Sequence, residues 1–168
     1  GALVALDTAA RHPGAVASAV LLGVATAMPV HPELQAAADI DDPKAAALIA
    51  AWAHGPRQHI GLNPTPGLWM LGGVTALLET SPPGVLATDL AACSAYEGAT
   101  SSAASSACPV TLVLGSQDRM SPRKAARALE DAFASPPAIV ELEASGHMLM
   151  LEEPEAVRQA ILTHLDAC

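Results

Sequence analysis

The sequence predicts an α/β chain: a small parallel sheet flanked by helices and interrupted by a long helical insertion. Two observations carry this. Short apolar runs bounded by turn signals occur near both ends of the chain, each followed or preceded by a helical pattern. Between them, prolines recur at 29, 32, 43, 56, 64, 66, 82 and 83, and no strand-like alternation is present. The resulting order is helix, strand, insertion, strand, helix, strand, helix. Strands separated by helices imply right-handed parallel crossovers.

Taken in order, residues 2–12 are strong helix formers ending in cations, stopped by Pro13-Gly14. Ser18 to Val24 is a continuous apolar run that predicts a strand buried on both faces. In the insertion, helices are expected over Pro43–His54, Leu68–Glu79 and Val85–Ala95, with Gly98–Ala107 a linker or, given its alanines, a helix. Pro109 to Leu114 is a second strand. Ser121-Pro122 predicts a capped helix start, with Ala125, Ala126, Leu129 and Phe133 on the buried face. Ala138 to Leu142 is the third strand. Glu153-Pro154 opens the last helix, whose buried stripe is expected at Val157, Ile161 and Leu165. These boundaries divide the chain into 1–27, 28–107 and 108–168.

Composition excludes several classes of function. A chain of 168 residues is about one domain, and 51% apolar residues argue against disorder. Aromatics are only 2%, so the core is built from Ala, Val, Leu and Met. Eight Lys and Arg against 17 Asp and Glu give a net charge of −9 without a basic run, which argues against nucleic acid and against a polybasic membrane anchor. No stretch reaches the ~18 apolar residues of a membrane span. The apolar run Ala15–Pro29 lacks the cationic start of a signal peptide. Cys93, Cys108 and Cys168 form neither a disulfide framework nor a zinc knuckle, and reduced cytoplasmic thiols are the expectation.

In an open parallel sheet, functional groups collect past the carboxyl ends of strands. Two candidates sit there: Asp118, in Gly115-Ser-Gln-Asp118, and His147, in Ser145-Gly-His147. A carboxylate that fixes the tautomer of a neutral imidazole is two-thirds of a nucleophilic triad. Taken singly, an Asp in such a loop is also a turn former and a lone His a structural residue. Their order, each past its own strand, favours the pair. His54 and His59 flank Pro56, which keeps them off one helical face and disfavours a metal site. Asp39, Asp41 and Asp42 precede Pro43 as a helix-start charge cluster, and Glu152 and Glu153 are most simply helix-start charges as well.

On Val113-Leu-Gly-Ser-Gln-Asp118, Ser145-Gly-His147 and Glu152-Glu-Pro-Glu-Ala-Val157, the sequence resembles the α/β-hydrolase fold enzymes. The resemblance implies the C-terminal part of that fold, with about three parallel strands, residues 28–107 as the lid, Asp118 as the acid and His147 as the base. It implies hydrolysis of a small ester, lactone or related acyl compound, with no metal or organic cofactor. Family members carry G-x-S-x-G at a strand-to-helix elbow followed by a small-residue helix. Gly1 matches the last glycine of that elbow, which places the expected nucleophile two residues before Gly1. Ser18, Ser116, Ser121 and Ser145 do not stand in the elbow pattern. An Asp or Cys nucleophile would redirect the chemistry. Trp52, Trp69, Met70 and Met148 are candidate pocket residues, and a buried lid core competes as the role of the first three. The alternative reading is a non-catalytic remnant or binding half-domain, with a vestigial Asp/His pair and an open sheet edge.

Overall fold

A computed structural model describes residues 1–168. Three parallel strands lie in the order of the chain: β1 (Ala19–Leu22), β2 (Val110–Gly115) and β3 (Ala138–Leu142). Leu21 pairs with Leu112, and Leu112 with Ile139. Helix α1 (Ala2–Arg11) precedes β1. Helices α8 (Arg123–Glu130), α9 (Leu149–Glu152) and α10 (Pro154–Asp166) belong to the C-terminal part.

Strand β2 holds the molecule together because it is central. All six of its residues are buried, and their alternation divides the core. Val110, Leu112 and Leu114 point to one face, where they meet Leu3 and Leu6 of α1 and Ala126, Leu129 and Phe133 of the α8 region. Val113 points to the other, among Leu142, Leu149, Val157 and Ala160. The expectation that the first strand is buried on both faces needs correction. In β1 only Leu21 is fully covered and its three neighbours are half-buried, and β3 buries only Leu142.

Between β1 and β2 the chain is helical: α2 (Pro32–Ala38), α3 (Lys44–Ala53), α4 (Pro56–His59), α5 (Met70–Glu79), α6 (Val85–Ala95) and α7 (Ala99–Ser105). Its own core gathers Leu34, Ala37, Ala38 and Ala45, with Leu48, Trp52, Leu86 and Leu90 packed around them. Helices α2 and α4 have no counterpart among the sequence expectations. The four residues of α4 are too few to show a period. The start of α2 is capped by a histidine, His31, whose Nδ1 accepts from the Glu33 amide at 3.2 Å. No helix is long and apolar enough to cross a membrane.

Two local expectations are overturned. Ser121 does not cap α8; its hydroxyl is buried without a partner, while the Met120 and Ser121 amides both bond to the Asp118 carboxylate at 2.8 Å. Asp118 has taken over the task of satisfying that turn. On α10, the covered residues are Val157, Ala160 and His164, whereas Ile161 and Leu165 are exposed. The rotation follows a polar contact from the sheet: His164 Nδ1 and Thr111 Oγ1 of β2 are 2.8 Å apart, which draws the histidine face inward.

Candidate active site

The site grows from two loops that leave the carboxyl ends of neighbouring strands. After β2, the turn Gly115–Asp118 is tied to the loop after β3: the Ser116 amide donates to Leu142 O at 3.0 Å and the Gln117 amide to Ser145 O at 2.9 Å. The Ala144 amide returns a bond to Ser116 Oγ at 3.0 Å. These contacts hold Asp118 and His147 side by side although 29 residues separate them.

Asp118 has no exposed side-chain surface, and its two oxygens have separate duties. Oδ1 accepts the Met120 and Ser121 amides. Oδ2 lies 2.8 Å from His147 Nδ1. A carboxylate accepts and does not donate, so Nδ1 carries a proton, and in the neutral ring that leaves the lone pair on Nε2. The His147 side chain is 22% exposed, enough for contact with a small molecule. Its backbone is held as firmly as its ring, since its amide donates to Ala53 O at 2.6 Å.

Gly23, immediately after β1, makes room for the imidazole. Its φ is +57°, and a Cβ there would stand 2.9 Å from His147 Nδ1 and 3.3 Å from Asp118 Oδ2. Gly146 permits a second close approach: a Cβ on it would lie 2.5 Å from the Gly55 nitrogen and 2.6 Å from Ala53 O. The loop carrying the histidine is thus seated directly on the chain leaving α3.

His147 opens onto a cleft of about 830 Å³, bordered by Gly1 and Ala2 of the α1 end, Leu22 and Gly23 of the β1 end, and Met28, Asp89, Cys93 and Tyr96 of the helical insertion. Met148 lines it too. The cleft is mostly apolar, with the imidazole among its few polar groups, an arrangement suited to a small, largely apolar molecule. A second cavity of about 770 Å³ lies against α10 and includes neither Asp118 nor His147.

The structure brings Asp118, His147, Gly1 and Met148 to one place, but not the remaining pocket candidates. Trp52 packs in the insertion core with its ring edge-on to His31. Met70 is buried at the start of α5, and Trp69 is 75% exposed on the outer surface. None of these three borders the cleft, because the insertion turns other helices, chiefly α6, toward it. His54 is buried at the end of α3, its Nδ1 2.8 Å from Ala50 O, while His59 is exposed. No group of three or more His, Cys, Asp or Glu side chains is placed to hold a metal ion.

Sequence reasoning missed Gly23 and Glu152. Glu152 is not a helix-start surface charge: it is fully buried and accepts backbone bonds from Gly55, Gly146 and Met148. One of those partners lies 97 residues away, and nothing local announces it.

A parallel sheet whose strand ends present an aspartate–histidine pair beside a helical insertion is a hydrolase-type scaffold. The model of the alpha/beta hydrolase family matches residues 1–160, and the chain belongs to that family. No curated protein matches the sequence. Among solved structures, the enol-lactonase from Burkholderia xenovorans LB400 is similar with a TM-score of 0.84 at 20% identity, over 98% of this chain and 62% of that one. A thermophilic esterase from Thermogutta terrifontis gives 0.80 at 20% identity, over 99% and 61%. Est816, an N-acyl homoserine lactone degrading enzyme, gives 0.77 at 18% identity, over 96% and 63%. The chain therefore spans less than two thirds of the length of these relatives.

Proposed function

We propose that the protein hydrolyses a small ester or lactone, with His147 as general base and then general acid, and Asp118 as the group that orients it. The observation that carries this reading is the 2.8 Å contact between His147 Nδ1 and Asp118 Oδ2 at the edge of an apolar cleft. Esterase and lactone-cleaving activities of the structural relatives support the substrate class. Residues 28–107 act as the lid, and the segments 1–27 and 108–168 as the core beneath it.

The chemistry follows from the free Nε2. A nucleophile on the family's turn ahead of α1 attacks the carbonyl carbon while His147 takes its proton. Charge accumulates on the carbonyl oxygen, and the amides at the start of α1, beside Gly1, are the positive end of a helix bordering the same cleft. His147 then delivers its proton to the leaving oxygen, and water repeats the sequence on the acyl intermediate. Asp118 stabilises the imidazolium throughout. Neither Ser121 nor Ser145 is suited to be the nucleophile, since their exposures are 2% and 0%. No step calls for a metal or organic cofactor. The three free cysteines support a reducing compartment, and we place the protein in the cytoplasm.

The test is His147→Ala in the intact natural protein, assayed against short-chain p-nitrophenyl esters and simple lactones. A loss of about 10³-fold or more in kcat is expected. Hydrolysis at the wild-type rate would overturn the assignment.

A further inference from the structure

We propose that Glu152 is a positioning residue that fastens the helical insertion to the backbone carrying His147, so that the insertion and the imidazole move as one body. This rests on the reading of His147 as the base. The Glu152 carboxylate is entirely buried and takes part in no ion pair. A buried carboxylate without a cation is costly unless hydrogen-bond donors surround it. Here the donors are backbone amides. Oε2 accepts from Gly55 and from Gly146 at 2.9 Å each, and Oε1 accepts from Met148 at 3.2 Å. The Gln58 side chain faces the same groups, and the orientation that satisfies it turns the amide nitrogen inward, 3.0 Å from both Oε2 and Gly55 O.

The identity of these donors gives the arrangement its meaning. Gly146 and Met148 flank His147 on either side. Gly55 lies in the link from α3 to α4 and Gln58 in α4 itself, both inside the insertion. The carboxylate is therefore a bridge with one foot on each side. A second link runs the opposite way: Ala53 O, at the end of α3, accepts the amides of His147 at 2.6 Å and Met148 at 3.2 Å. The absence of a Cβ on Gly146 lets the two backbones touch. A displacement of α3 must then shift His147 relative to Asp118. A misplacement of about 1 Å at a reacting group costs on the order of 10²-fold in rate.

The experiment compares the intact natural protein with Glu152→Gln, which keeps shape but turns an NH₂ toward amide donors. The readouts are kcat and KM, the NMR signal of the His147 Nδ1 proton, and amide hydrogen exchange at Gly55, Gly146 and Met148. The expected result is a 10- to 100-fold fall in kcat with KM nearly unchanged, a shifted or broadened Nδ1 proton signal, and faster exchange at all three amides. Glu152→Asp should restore the signal in part. An unchanged Nδ1 signal, or faster exchange at Gly55 alone, would overturn the inference. Should Glu152→Gln not fold, exchange in the wild type decides: Gly55, Gly146 and Met148 opening as a unit supports the bridge, and separate opening refutes it. A wild type that hydrolyses no ester or lactone yet shows the coupled signal and exchange would remove the proposed function and leave the bridge standing.

Discussion

Gly23→Ala isolates the contact on which the aspartate–histidine pair depends. Two costs add. The first is backbone strain at φ +57°, about 1–2 kcal/mol for an L-residue, partly offset by about 0.4–1 kcal/mol from a stiffer unfolded chain. The second is specific to this place. A Cβ would come 2.9 Å from His147 Nδ1, where ordinary contact begins near 3.4 Å, so the ring must retreat by about 0.5 Å. Because the Cβ would also stand 3.3 Å from Asp118 Oδ2, the push is oblique to the 2.8 Å bond and lengthens it to about 3.0 Å, which weakens without breaking a charge-assisted pair worth about 1.5–3 kcal/mol. The expected total is a destabilisation of about 1–3 kcal/mol. Gly84→Ala is the control, because Gly84 has φ +77° and nothing within 4 Å of a Cβ. It should cost about 1 kcal/mol. Urea unfolding of both variants measures the difference from the shift in midpoint at constant slope. Equal losses in the two variants, with the His147 Nδ1 proton signal intact in Gly23→Ala, would refute the reasoning.

Two further outcomes are expected. Leu112→Ala removes a completely buried side chain from the central strand and should lower unfolding free energy by about 2–5 kcal/mol in the same urea assay; a loss below 1 kcal/mol would contradict the account of the core. For Asp7, burial pushes the carboxyl up, but the hydroxyls of Ser102 and Tyr96 and the Arg11 guanidinium outweigh it and hold the group below its ordinary 3.8. A depressed carboxyl contributes stability that is present above its unfolded value and lost as pH falls through the folded one. The advantage of the wild type over Asp7→Asn in urea midpoint should therefore be full at pH 7 and shrink on acidification below 3.8. A gap that is constant or widens in acid would contradict the direction.

The strands and the paired loops were legible because their signals are local. Val110–Gly115 is a β-rich run whose one polar residue is Thr111, and Asp118 and His147 each follow a strand at short range. What escaped depends on partners far along the chain. The apolar spacing of Val157, Ile161 and Leu165 leaves the covered face of α10 after Val157, since it contains no trace of Thr111 beside His164. Ser121 before a proline had the form of a cap, but an aspartate three residues earlier supplied the acceptor. Glu152 had the form of a surface acid because Gly55 is its neighbour only after folding. Trp69 is a candidate for an apolar pocket or a lid core in the sequence, and the structure leaves it at the start of α5, 75% exposed.

The double acceptance at Ala53 bears on how such proteins are recombined. Its carbonyl and the Gly55 amide are the joint between two parts whose sequences otherwise have little reason to vary together. A chimera that exchanges the whole insertion replaces Ala53 and Gly55 together and asks a foreign backbone to meet the histidine loop. An exchange beginning in the exposed, proline-rich stretch 61–67 and continuing through α6 retains Ala53, Gly55 and Gln58 against the histidine loop. The helices bordering the cleft can then be replaced while the general base keeps its seat.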